Sequence, residues 1–388
     1  MSERPRVLLA ITAYNGRDIV PRAVRSAKRL NNELADVDIV VLDDCSPERG
    51  FSAMISQLCR ELDVLYYRSP RNLGIPRNVS LAMLMAEQLR YDYVVISNSD
   101  VLYAACAIDE LVRVHLADPS VGSVTAWSNN VSVFSLPNGD PDSFLANQDV
   151  VDWLGASLAG KYAANGMDIP AGISFAMLVP TDVIRDVGIM DPVFGRGYCE
   201  EIDWSLRSRA AGYRVALGLG AFVYHQGRGS NLEAGVIAGD QTSVPENEAI
   251  IDMRYPLFRT QVSSFIGSGL LARAQDDAVE RIILDGARQY GYSLEVGWLP
   301  SNSANSAGVH CVVAPEGNRP SFASYFLGFV HERTLESDDP GAEVRGFFGS
   351  DPTSVNVYDR GRVAGSLVDA AIAAGSNVRR FTGYPTRV

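Results

Sequence analysis

Four times in the first hundred residues, a short run of aliphatic residues gives way to apolar positions at helical spacing. Residues 6–12 read as a buried strand, after which Val20, Ala23, Val24, Ala27 and Leu30 fall on one helical face. Residues 37–42 form a second such strand, followed by a helix over 52–62. A short strand over 64–67 leads to a helix over 79–89. The fourth repeat opens the stretch 93–103, where Val94, Val95 and Ile96 run into Asn98-Ser99-Asp100. Alternation of this kind predicts an α/β fold with a mostly parallel, doubly wound sheet. Right-handed crossovers bring the carboxyl ends of its strands to one edge, beyond which ligands bind.

Three of those strand ends carry polar residues: Tyr14 and Asn15, Asp43 and Asp44, Asn98 and Asp100. An aspartate placed there, two positions from an amide, offers oxygen to a hard divalent cation beside a diphosphate. The same residues also serve as plain helix caps. Three polar ends on one edge point to a nucleotide cleft. It is neither a dinucleotide fold nor a P-loop: no GxGxxG follows the first strand, and no GxxxxGK[ST] occurs.

Further along, the pattern predicts a helix over 104–116, a strand over 122–127, a helix over 148–164 and a strand over 173–179. Between them, residues 128–147 are polar with Pro and Gly, a loop that is either functional or merely mobile. Thr181 is placed to cap a short helix. Glu200, Glu201 and Asp203 then open an amphipathic helix. Carboxylates there complement the helix dipole; alternatively, one of them is a general base. Gly195 and Gly197, just before, permit close backbone approach. Strands over 213–217 and 221–224 end on His225 and a Gly-rich turn. Residues 231–247 read as a linker. Beyond it come an apolar segment over 257–270, a helix over 270–290, strands over 293–298, 309–314 and 344–348, and a helix over 363–374. The aromatic-rich run 321–330 reads as core or subunit interface rather than a lipid patch.

With 388 residues, the chain has room for two domains: 1–235, holding the nucleotide cleft, and an α/β extension over 236–388. The net charge of −12 argues against nucleic acid as a partner, which needs a basic face. It also means that an anionic substrate must be met by a local device such as a metal or helix N-termini. Five scattered cysteines without a CxxC pair fit neither a zinc site nor a disulfide framework. They fit a reducing cytoplasm, as do the missing signal-peptide pattern and the lack of an uncharged apolar run of membrane-spanning length.

Taken together, seven motifs resemble the family 2 glycosyltransferases of the GT-A fold, the later ones being most similar to the rhamnosyltransferase-like branch. They are ITAYNG (11–16), IVVLDDCSPE (39–48), NLGIPRN (72–78), VVISNSD (94–100), the run 172–194, EEIDWSLRSRAAGYRV (200–215) and HQGRGS (225–230). The resemblance implies an inverting, metal-dependent transferase that moves a sugar from a UDP- or dTDP-sugar to an acceptor hydroxyl. The acceptor would be a glycan, natural product, lipid-linked intermediate or protein. By the same resemblance Ala13, Tyr14 and Asp44 border the base and ribose, and Asn72 and Arg77 lie beside the nucleotide. Asn98, Ser99 and Asp100 form a DXD-like motif, with Asp100 binding Mn²⁺ or Mg²⁺ and His225 completing the coordination. Glu201 stands where the family usually has an aspartate base, so Asp203 and Glu200 stay open as the base. Asn98 in place of a first aspartate keeps open a catalytically inactive sugar-nucleotide or glycan binder. A nucleotidyltransferase is disfavoured because residues 12–16 lack a basic side chain. The extension is expected to serve acceptor selection or a homo-oligomer contact.

Overall fold

The computed structural model describes residues 4–31, 33–136, 146–227, 244–297, 308–316, 319–336, 339–357 and 377–380. Its first strands are β1 (Arg6–Ala13), β2 (Asp36–Asp43), β3 (Leu65–Arg68) and β4 (Tyr93–Ser97), separated by α1 (Val20–Ala27), α2 (Phe51–Glu61) and α3 (Ile75–Gln88). They pair in parallel in the order β3-β2-β1-β4. On one face Leu8, Ala10, Val40, Leu42, Val94 and Ile96 meet Val79, Ala82, Met83 and Ala86 of α3. The 3.6-residue period on the helix and the two-residue period on the strands select this face. Helix α3 starts earlier than its apolar period suggested, because Pro76 lies in the first turn, where its missing N–H costs nothing.

The chain continues through β5 (Val101–Tyr103), α4 (Ala107–Ala117), β6 (Val121–Trp127), α5 (Gln148–Tyr162), β7 (Gly166–Asp168), β8 (Ala176–Pro180), α6 (Thr181–Val187), α7 (Glu200–Ala210) and β9 (Arg214–His225). Strand β8 runs antiparallel to both β4 and β6, and β9 runs antiparallel to β5. The sheet is therefore mixed, in the order β3-β2-β1-β4-β8-β6-β9-β5 with β7 on β9, as the resemblance to the GT-A fold implies and not mostly parallel as the strand–helix alternation alone predicts. A parallel nucleotide-binding half joined to antiparallel strands is the GT-A arrangement. Every residue of β8 is buried, so its apolar run carried no signature of direction. The two strands expected over 213–217 and 221–224 are one: Gly218 and Gly220 lie inside β9 and do not break it. A Cβ at Gly220 would come within 2.9 Å of the Glu110 carboxylate and 3.1 Å of the Tyr162 carbonyl, so glycine there reflects close approach, not a turn. Thr181 does not cap α6; its hydroxyl donates to the Tyr91 carbonyl at 2.8 Å.

Two more helices, α8 (Pro245–Arg254) and α9 (Phe258–Gly267), complete the first compact unit, which comprises Met1–Ser135 and Ala146–Ala272. The unit thus runs past the expected boundary at 235, because α8 is pinned to α7 by the Arg254–Asp203 ion pair at 2.8 Å. The second unit comprises Leu136–Leu145 and Arg273–Val388. The long helix α10 (Leu270–Tyr290) leads into it, with Ile282, Ile283 and Ala287 buried. Its other elements are β10 (Tyr292–Val296), β11 (Val309–Glu316), β12 (Arg319–Phe326), β13 (Phe329–Thr334), α11 (Pro340–Phe348), β14 (Ser354–Val357) and β15 (Asn377–Arg380), with sheet order β13-β12-β11-β10-β14-β15.

The strand expected over 344–348 is the helix α11. Asp339 caps it by accepting from the Ala342 N–H at 3.0 Å, and proline follows at the start of the helix. The aromatic run 321–330 is a hairpin whose Phe322, Phe326 and Phe329 are core residues. The apolar segment 257–270 forms α9, which has no buried residue among those described. The expected helix over 363–374, residues 137–145 of the loop over 128–147 and most of the linker over 231–247 lie outside the described residues, as do Arg228 and Ser230.

Candidate active site

The carboxyl ends of β1, β2 and β4 lie side by side, as the parallel register requires: Ala13 pairs with Asp43, and Ile11 with Ser97. Ala13 is buried, Tyr14 half-buried, and Asn15 turns the chain in the left-handed region at φ +58°. The Asn15 N–H donates to Ser46 Oγ at 2.9 Å, and its side-chain oxygen accepts from the Glu48 N–H at 3.2 Å. This locks the end of β1 to the turn after β2.

The two adjacent aspartates do different work. Asp43 is fully buried and accepts from the Ser46 N–H, Ser52 Oγ and Tyr66 Oη. Burial pushes its pKa up, but these hydrogen bonds outweigh it and hold Asp43 below the usual carboxylate value. Asp44 accepts from the backbone N–H groups of Leu73 at 2.7 Å and Gly74 at 2.9 Å, with burial raising its pKa. Both Asp44 oxygens therefore position the 72–74 loop. Asn72 accepts from the Gly74 N–H at 3.1 Å, and the exposed Arg77 reaches back to the Leu73 and Gly195 carbonyls at 3.5 and 3.4 Å. The 72–77 loop is thus brought against the turn that precedes α7; the Ile75 N–H donates to the Arg196 carbonyl at 3.1 Å.

Beyond β4 the chain makes a tight excursion and returns as β5, which pairs Val101 with His225. Asp100 and Ser99 are buried and Asn98 half-buried. His225 Nδ1 lies 2.9 Å from the Asn130 carbonyl, so this nitrogen carries the donated proton and Nε2 of the neutral ring is unprotonated. Nε2 lies 3.2 Å from Asp100 Oδ1 and 3.3 Å from Asn98 Nδ2. Asp100 Oδ1 is nevertheless buried without a hydrogen-bond partner among the described residues. A lone pair, not a proton, faces it. Nε2 accepts from Asn98 Nδ2, whereas Asp100 Oδ1 has no such donor, and a buried unpartnered carboxylate oxygen calls for a positive charge. A proton on the ring meets that demand: burial lowers the pKa of His225, and Asp100 more than reverses this, leaving it raised.

A divalent cation meets the same demand: the carboxylate oxygen is the ligand type that suits Mn²⁺ or Mg²⁺, whereas an imidazole nitrogen suits softer first-row metals. Among the described residues no cluster of three or more His, Cys, Asp or Glu side chains is placed to hold a metal. Asp100 and His225 are the residues that could hold such a cation, with its other positions left to non-protein oxygens.

Sequence reasoning missed Asn129 and Asn130. Asn129 accepts from the His225 N–H at 2.8 Å and donates to its carbonyl at 3.1 Å, a two-point clamp. The visible signal was an Asn-Asn pair directly after the strand that became β6.

The three carboxylates of α7 separate cleanly. Asp203 is fully buried and satisfied by Arg207 Nε and Arg254 Nη1, each at 2.8 Å, and Tyr255 Oη at 2.9 Å. It is a structural hub. Glu200 is buried and Glu201 half-buried, yet each has a buried Oε2 with no hydrogen-bond partner among the described residues. Burial raises both pKa values, that of Glu200 well above the ordinary range, with the neighbouring Glu201 charge pushing it further. The two carboxyl groups titrate as a pair, because a charge on one opposes a charge on the other.

The turn that presents them is strained. Tyr198 and Cys199 both lie in the left-handed region, at φ +72° and +73°. Such positions cost about 1–3 kcal/mol each and persist where their surroundings over-determine them, commonly at functional sites.

Residues 9–164 match the family model described as Glycosyl transferase family 2. The matched segment runs from within β1 through α5 and so includes the polar ends of β1, β2 and β4 and Asp100, while His225 and the α7 carboxylates lie beyond it. No curated protein sequence matches the chain. Among solved structures, the chain is similar to GalNAc-T7 with UDP, GalNAc and Mn²⁺, at 13% identity and a TM-score of 0.46 over 58% of this chain. The match spans 44% of that protein, less than half its length. It is also similar to the mannosyltransferase PcManGT from Pyrobaculum calidifontis in complex with GDP-Man and Mn²⁺, at 16% identity and a TM-score of 0.45 over 74% of this chain and 76% of that one. A third likeness is to S. aureus TarS 1-349, at 13% identity and a TM-score of 0.42 over 72% and 80% of the two chains. Scores of this size decide nothing about donor, metal or acceptor. Nothing in the match singles out a rhamnosyltransferase-like branch. No described helix is long and apolar enough to cross a membrane.

Proposed function

We propose that the protein is an inverting, metal-dependent glycosyltransferase that moves a sugar from a UDP- or dTDP-sugar to an acceptor hydroxyl. The observation that carries the reading is the buried, unpartnered Asp100 Oδ1, which faces His225 Nε2 at 3.2 Å beyond the carboxyl end of β4. In the proposed enzyme Asp100 and His225 hold Mn²⁺ or Mg²⁺. When bound, the cation supplies neutralisation of the charge that develops on the departing nucleoside diphosphate. Ala13 and Tyr14 border the base, while Asp44 acts through the 72–74 loop, holding Asn72 and Arg77 beside the nucleotide.

Glu201 is the general base in this reading, and Glu200 its buried neighbour. A carboxylate with a pKa raised by burial is a better proton acceptor than one in water. Asp203 is a poor candidate because two arginines already occupy its oxygens. Removal of the acceptor proton by Glu201 as the donor bond breaks is a single displacement and inverts the anomeric centre. A non-catalytic binder would retain the Asp100–His225 pair but have no use for two unpaired buried carboxylates at a strained turn. The acceptor class (glycan, natural product, lipid-linked intermediate or protein) and the homo-oligomeric state belong to the same proposal, with the second unit serving one of them.

The deciding experiment incubates the protein with UDP-, dTDP- and GDP-sugars plus Mn²⁺ and measures released nucleoside diphosphate. Release from one donor that disappears in Asp100→Ala supports the reading. Metal-dependent nucleotide binding without release, in the presence of candidate acceptors, favours the inactive binder. Absence of both binding and release refutes the transferase.

A further inference from the structure

The turn in front of α7 is held by a residue outside every motif described above. Gly195, Gly197, Tyr198 and Cys199 all have positive φ, so the backbone here reverses direction almost residue by residue. The carbonyls of Phe194, Gly197 and Tyr198 converge on one atom, Asn247 Nδ2, at 3.0, 2.7 and 3.0 Å. Three acceptors around a point need a donor without negative charge, and an amide nitrogen supplies two protons to share among them. Asn247 is only 7% exposed and lies in the first turn of α8.

The helix grips the turn at two further places. Ile251 packs against Phe194 and Cys199, and Arg254 with Tyr255 closes on Asp203, inside the first turn of α7. The apolar contact and the ion pair suffice to dock α8. The Asn247 contacts do something else: they fix the conformation of the residues immediately before Glu200 and Glu201.

We propose that Asn247 is a positioning residue for the general base, holding the 194–199 turn in the one conformation that presents the Glu200–Glu201 pair. The inference rests on the transferase reading above. It makes α8 part of the catalytic apparatus without touching substrate.

The test compares wild type, Asn247→Ala and Asn247→Asp. It reads metal-dependent donor turnover, nucleoside diphosphate affinity by calorimetry, and Tm. Misplacing a catalytic group by about 1 Å costs on the order of a hundredfold in rate. Both variants should therefore lose about 10- to 100-fold in kcat, while donor KM and nucleotide Kd stay within about twofold of wild type. Asn247→Asp keeps the shape but turns an acceptor towards three acceptors, so it should be at least as impaired as Asn247→Ala. Wild-type kcat in Asn247→Ala overturns the inference. So does a loss shared equally by kcat and nucleotide affinity, or failure of both variants to fold, since either assigns Asn247 to stability alone. A wild-type protein that neither binds nor turns over any donor refutes instead the underlying transferase reading, and this inference falls with it.

Discussion

Replacing Asp203 with asparagine separates architecture from chemistry at α7. Asp203 receives charge-assisted hydrogen bonds from Arg207 and Arg254, each at 2.8 Å, and a third bond from Tyr255 at 2.9 Å. Removing a buried partner of an ion pair typically costs about 3–5 kcal/mol, mostly because the other charge is stranded. Here neither arginine would be stranded. Arg207 keeps the Val187 and Ile189 carbonyls, Arg254 keeps Asp191, and both side chains are about one-third exposed. Asparagine keeps one acceptor oxygen and turns an NH2 group towards the other donor, so one of the two charge-assisted arginine bonds is lost, about 2–3 kcal/mol. Urea unfolding of Asp203→Asn should therefore show a lower midpoint by that margin at unchanged slope. Turnover per folded molecule should fall no more than about tenfold, because Asn247 still holds the turn. A variant of wild-type stability that has lost activity by several orders of magnitude would show that Asp203 is the base, and would refute the division of roles drawn here.

Asp100→Ala should abolish Mn²⁺-dependent nucleoside diphosphate binding measured by calorimetry; unchanged affinity would remove the metal assignment. Glu201→Gln should leave that binding intact and cut transfer by about 10²- to 10⁴-fold, as expected for loss of a general base; equal activity would exclude it. Glu200 has a folded pKa raised well above its ordinary 4.5, so the native state holds a proton that the unfolded chain releases. Stability from this group is therefore present below about pH 4.5 and lost as pH rises through the folded value. Glu200→Gln should flatten that fall and be no less stable than wild type at pH 8; a less stable variant there would mean that the carboxylate has a partner.

The sequence was most informative where period and burial agree. The β1–β4 alternation, the polar strand ends and the acidic start of α7 could all be read from residue order. Direction within the sheet could not: β8 is buried on both faces, and an all-apolar strand looks the same whether it runs with or against its neighbours. Glycine misled at β9, where Gly218 and Gly220 looked like a break and serve close packing instead. At 344–348 the β-branched and aromatic composition hid a helix, although Asp339 and Pro340 had announced its start. Within the site, the candidates were legible but their division of labour was not. Asp43 and Asp44 look equivalent in sequence, yet one braces the β2 turn and the other holds a loop. Asn129, Asn130 and Asn247 act through main-chain atoms of residues far along the chain, and no local pattern announces a partner about 50 to 96 positions away.

The contact between His225 Nδ1 and the Asn130 carbonyl bears on how such a site withstands change. The oxygen that fixes the tautomer belongs to the main chain, so every amino acid at position 130 provides it. Drift at that position can alter the side chain's own bond to the Gln226 carbonyl at 3.3 Å, yet leave Nε2 lone-pair-first towards Asp100. The protonation pattern of the histidine is thus inherited with the path of the backbone. Substitutions that bend the segment after β6 threaten it more than any exchange of side chain at the contact itself.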